Sequence, residues 1–88
     1  MTDVNSDHRV TLEQIFRHPA SANIEWRRVR SLLEAVGTAT REHDGKFEVT
    51  VDGVTKVFQP PHGKDVDVQM IVDLRHFLTE AGITPAGR

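Results

Sequence analysis

Cysteine is absent from all 88 residues. With it go disulfide staples, Cys-ligated zinc and thiol catalysis, and its absence fits a reducing compartment, so a cytoplasmic location is expected. Long apolar runs are missing too. No window approaches the roughly 20 apolar residues of a membrane span, and Met1 to His8 is too polar for a secretory signal. An excess of basic charge is also lacking. Lys+Arg total 11 against 13 Asp+Glu, giving net −2 and a pI near 6.2, which advertises no general affinity for nucleic acid. The histidines show no H-E-x-x-H or similar ligand spacing, so no metal or other cofactor is expected. Gly-rich phosphate loops, nucleophile elbows, repeats and low-complexity tracts are absent as well.

What is present fits one small domain, since 9.9 kDa leaves room for a modest core and no deep cleft. Residues 1–8 have the small polar composition of a loose terminus. Thr11-Leu-Glu-Gln14 has the capping-box form, which predicts a short helical turn to Arg17, docked by Leu12, Ile15 and Phe16 and ended before Pro19. Residues 9–22 are thus expected to be a turn and linker ahead of a domain at 23–88. Asn23 is the expected cap of a first long helix, with Glu25 in its first turn. Trp26, Val29, Leu33 and Val36 form its apolar stripe, and Gly37 sits where a left-handed C-cap belongs.

A first strand is expected at Thr38–His43, then a better-marked hairpin. Phe47, Val49 and Val51 alternate with Glu48 and Thr50, and Asp52-Gly53 suits a two-residue turn in which both residues take positive φ. That turn pairs Val51 with Val54, Val49 with Lys56 and Phe47 with Phe58 on the core side, and Thr50 with Thr55 and Glu48 with Val57 on the other. Lys46 then points outward. Lys56 falls on the apolar side and must snorkel or mark a bulge. Pro60-Pro61 ends the strand. Asp67 caps a second long helix with the stripe Ile71, Leu74, Leu78 and Ala81, Met70 and Phe77 beside it, and Gly82 as its C-cap.

The order is α-β-β-β-α, the order of the double-stranded-RNA-binding domain. It predicts an α+β fold with two helices on one face of a three-stranded antiparallel sheet, the other face being open. Charge is uneven along the chain. Between Arg9 and Arg30, five arginines stand against two glutamates, net +3, whereas Asp65 to Arg88 is net −2.

Four segments together resemble the HicA family of small toxins from bacterial toxin–antitoxin pairs: WRRVRSLLEAVG from Trp26 to Gly37, the Gly45 hairpin, Pro61-His62-Gly63-Lys64, and IVDLRHFLTEAG from Ile71 to Gly82. The similarity spans about Asn23 to Ile83. It implies a double-stranded-RNA-binding-like fold, messenger-RNA endoribonuclease activity, and neutralisation by a HicB-like antitoxin. The family's cleaving His lies in a Gly-Ser-His motif at the start of the hairpin, and this chain departs from it. Aligned back from the Asp-Gly turn, Lys46 occupies that slot; counted without gaps from the Gly, Phe47 does. Alternation favours Lys46, because a group acting on a scissile phosphate must lie on the open face.

Lysine, with a pKa near 10.4, is a poor acid or base near neutrality, although it can hold a phosphate. His43 and His62 are the two nearby histidines that could supply the missing proton transfer. RNA is expected to bind through the open sheet face, with Arg41, Lys46 and Lys64 as its contacts. Three readings compete: an RNA-cleaving HicA-like toxin, an RNA binder without cleavage, and a protein-interaction module.

Overall fold

The computed structural model describes residues 6–17, 24–42 and 44–85. The elements in chain order are α1 (Ser6–Ile15), α2 (Trp26–Val36), β1 (Thr38–Arg41), β2 (Phe47–Val51), β3 (Val54–Phe58) and α3 (Val68–Glu80). The strands form one antiparallel sheet in the order β1-β2-β3. The β2–β3 register is the one alternation predicts: Phe47 opposite Phe58, Val49 opposite Lys56, Val51 opposite Val54. Asp52 and Gly53 both take positive φ, 50° and 83°, as the two-residue turn demands.

One face of the sheet carries the core. Phe47, Val49, Val51 and Phe58 are buried. Trp26 of α2 meets the Phe47 ring edge-on at 5.4 Å, and Phe77 of α3 meets Phe58 at 5.5 Å. Both helices therefore cover the same face. The apolar stripes are buried as expected, Val29, Leu33 and Val36 on α2 and Ile71, Leu74 and Leu78 on α3, with Leu32 as an additional core residue. Asp67 caps α3 by accepting the Met70 amide at 2.8 Å. The helix ends in a Schellman motif: Gly82 at φ 85° donates to Thr79 O, and Ile83 donates to Leu78 O.

Four expectations need correction. The N-terminal element is no short turn beginning at Thr11 but a ten-residue helix from Ser6. Thr11 lies inside it, buried, with its hydroxyl donating to the Asp7 carbonyl one turn back. Tertiary contacts explain the added length. Leu12 and Ile15 join the core, His8 Nε2 and Ser31 Oγ hydrogen-bond at 2.7 Å, and Arg75 of α3 donates to the carbonyls of Ile15 and Arg17 at 2.7 and 2.6 Å. Second, Glu25, not Asn23, is the N-cap of α2, and its carbonyl accepts the first helical amides; Asn23 lies outside the described residues. Third, Gly37 is not left-handed. Its φ of −164° is open to any residue. Glycine is needed there because a Cβ would collide with the Thr50 carbonyl oxygen and sit 2.8 Å from Val51 Cγ2. Fourth, β1 stops at Arg41; Gly45, at φ 89°, donates to the Glu42 carbonyl at 3.0 Å, which turns the chain back toward β2, and His43 lies outside the described residues.

Candidate nucleic-acid interface

Strand alternation sorts the candidate residues by face. On the side away from the helices stand Thr38 and Thr40 of β1, Glu48 and Thr50 of β2, and Thr55 and Val57 of β3, with Thr50 and Thr55 joined hydroxyl to hydroxyl at 2.8 Å. Lys46 precedes buried Phe47 and so projects to this open side, as the register argument required. Its setting is acidic. Glu42, Asp44 and Glu48 line the same shallow depression as Lys46 and Val57. Asp44 accepts the Lys46 amide at 3.2 Å and sits 3.8 Å from its ammonium. One cation among three carboxylates leaves this corner net −2, which repels phosphate rather than attracting it.

Phe47, the other occupant of the catalytic slot, is only 4% exposed and faces α2. A side chain there reaches no substrate. Arg41 is opposite Phe47 in the β1–β2 register, and therefore on the helix side of the sheet, away from Lys46. Lys64 belongs to a third place, the start of α2. Its carbonyl accepts the Trp26 amide at 2.8 Å, its ammonium is 3.9 Å from Glu25, and the Val66 amide donates to Ile24 O at 2.9 Å. These bonds pin the exit of the hairpin to the N-terminus of α2. The three expected RNA contacts are thus split between the two sides of the sheet.

His62 is exposed beside Pro61 and Gly63 in a depression between β3 and α3, with Asp65, Asp67 and Asp73 on the walls. That depression does not include Lys46. His43 lies outside the described residues. Among those described, no group of three or more His, Asp and Glu could hold a metal ion. No described helix is long and apolar enough to cross a membrane.

A group of exposed cations lies on and beside α2. Arg27, Arg28 and Arg30 are exposed on α2, next to Lys64 at its start and Arg41 on the neighbouring strand. Arg30 lies 5.3 Å from the centre of the Phe47 ring, and Arg41 is opposite that same residue. Three carboxylates share the surface: Glu34, paired with Arg30 at 3.2 Å, Glu25, paired with Arg27 at 2.9 Å, and Asp7 of α1, which lines a shallow depression with Arg27 and Arg28. The Arg27 hydrogen bond, aided by the charges of Lys64 and Arg28, holds the Glu25 carboxyl below its ordinary pKa. Five cations against three carboxylates leave this side net +2. The signal was the run WRRVR; only the fold adds Arg41 and Lys64 to it.

Compared with family models, curated proteins and solved structures, the chain matches none.

Proposed function

We propose that this protein is a HicA-like toxin component that binds RNA without cleaving it, and that RNA lies on the arginine side of α2 and the β1 edge. The separation of charge carries this reading: net +2 around Arg27, Arg28, Arg30, Arg41 and Lys64, against net −2 on the open sheet corner around Lys46. Arginine guanidinium groups suit phosphate, being planar, permanently charged and able to donate two parallel hydrogen bonds. The absence of cleavage follows from the hairpin. Its outward slot holds a lysine tied to Asp44, and its inward slot a buried phenylalanine. Neither transfers protons near neutrality. A HicB-like antitoxin is the protein partner implied by this reading.

The test is fluorescence anisotropy of labelled RNA titrated with the full chain across a range of salt concentrations. Affinity should fall steeply with salt, because each phosphate contact releases counterions. Arg28→Ala and Arg41→Ala should each weaken binding and flatten the salt slope by roughly one unit, while Lys46→Ala leaves both unchanged. Absence of binding at low salt refutes the reading, and brisk RNA cleavage by the unmodified protein refutes its non-catalytic half. The acidic open face favours a second reading, a protein-interaction module that touches no RNA; a flat salt response would support it.

A further inference from the structure

β3 is an edge strand of the sheet. β3 pairs with β2 alone, and Thr55, Lys56 and Val57 are all exposed. The outward-facing backbone groups follow from parity. The Glu42 amide donates to the Lys46 carbonyl at 2.7 Å, so even-numbered residues of β2 bond toward β1. Residues 47, 49 and 51 then bond toward β3, with partners Phe58, Lys56 and Val54. Thr55 and Val57 are left to turn their N–H and C=O groups away from the sheet. An edge of this kind is a template for another strand.

The surface beside that edge is acidic. Two depressions, of about 520 and 280 Å³, run between β3 and α3 and share Lys56 and Asp73. Asp65, Asp67, Asp73 and Glu80 line them against Lys56 alone, net −3. None of these four carboxylates has a cationic partner within 4.0 Å among the described residues. Lys56 leans over the Phe58 ring, 5.7 Å from its centre.

We infer that β3 takes up, as a fourth strand, an extended basic segment of a partner protein, with backbone bonds to Thr55 and Val57 and lysine or arginine side chains directed at Asp73 and Glu80. Main-chain bonds supply affinity in this mode and alternate side chains supply specificity. Asp73 and Glu80 are seven residues apart, about 10 Å along the helix. That span suits basic residues two to four positions apart in a strand rising about 3.4 Å per residue. A second copy of this chain fits poorly. Antiparallel β3–β3 pairing would bring one acidic wall toward the other. The inference uses a different strand edge from the proposed RNA surface on α2 and β1.

The experiment uses the ¹⁵N-labelled full chain and two capped decapeptides, one alternating lysine with threonine and one alternating glutamate with threonine. The lysine peptide should shift the Thr55, Val57, Asp73 and Glu80 amides and slow hydrogen exchange at Thr55 and Val57. The glutamate peptide should do neither. Val57→Pro removes one outward N–H while sparing the β2 ladder, and should abolish the exchange protection. Asp73→Lys combined with Glu80→Lys leaves the backbone edge intact and should weaken binding about tenfold or more. The inference is overturned if the lysine peptide does not bind, if both peptides bind equally, or if the charge reversals leave affinity unchanged. It is equally overturned if oligouridine RNA protects the β3 edge in place of the peptide, or if the edge becomes protected by self-association as concentration rises.

Discussion

Placing histidine at position 47 or at position 46 should have opposite consequences. Phe47 is 4% exposed, edge-on to Trp26 at 5.4 Å and opposite Phe58 in the sheet. Truncating a buried Phe to Ala costs about 3–5 kcal/mol. Imidazole retains part of the ring volume, so about half of that loss, ~2 kcal/mol, is assigned to packing. Loss of the edge contact with Trp26 adds ~0.5–1.5 kcal/mol, and a ring nitrogen without a partner ~1–3 kcal/mol. These contributions overlap, so Phe47→His should cost about 2–4 kcal/mol.

That is a large share of the ~4–13 kcal/mol expected for a domain of this size. At roughly 4–8 °C per kcal/mol, it lowers Tm by about 8–32 °C. Lys46 is half-exposed, and its ammonium is 3.8 Å from Asp44, so Lys46→His should change stability by less than about 0.5 kcal/mol. Lys46→His puts a near-neutral proton donor on the open face, but among the carboxylates of Glu42, Asp44 and Glu48 and away from the proposed RNA path, so RNA should stay uncut. Urea unfolding followed by circular dichroism measures the stabilities, and a gel assay with nuclease-free controls measures cleavage. A Phe47→His protein as stable as the parent would refute the inward assignment of position 47, and brisk RNA cleavage gained by Lys46→His would refute the placing of RNA on the arginine side.

Three further expectations follow from the same coordinates. Gly37→Ala should cost about 1–3 kcal/mol by overpacking against the β2 backbone, whereas Gly53→Ala, with open space but positive φ, should cost about 1 kcal/mol; urea midpoints compare the two. Arg75→Ala removes two charge-assisted bonds that anchor the end of α1 and should cost about 1–3 kcal/mol, with amide exchange accelerating in residues 6–15 before the sheet is affected. The Glu25 carboxyl should titrate below the ordinary glutamate value of about 4.3, and Arg27→Ala should raise it. Because the folded pKa is the lower one, its stabilising contribution is complete above the unfolded value and is lost as pH falls through the folded value, which a carbon-detected NMR titration and acid unfolding would register together.

Periodicity made much of this protein legible in its sequence. The β2–β3 hairpin, its turn and its register were readable because a strand alternates with period two and Asp52-Gly53 tolerates positive φ. The cap and stop of α3 were readable for a similar reason, since Asp67 and Gly82 satisfy backbone groups within a few residues of themselves. Tertiary packing decided what depends on distant neighbours. The capping-box form at Thr11 gave way to a longer helix because α2 and α3 supply partners for His8, Leu12, Ile15 and the carbonyl end of α1. Gly37 was correctly singled out for the wrong reason: the constraint is the β2 backbone passing beside it, 13 residues on. The candidate site followed the same division. Alternation alone sent Lys46 outward and Phe47 inward. Only the fold set three carboxylates around Lys46, carried Arg41 to the opposite side and brought Lys64 to the arginines of α2, because the charge on a surface is a sum over residues that sequence distance does not join.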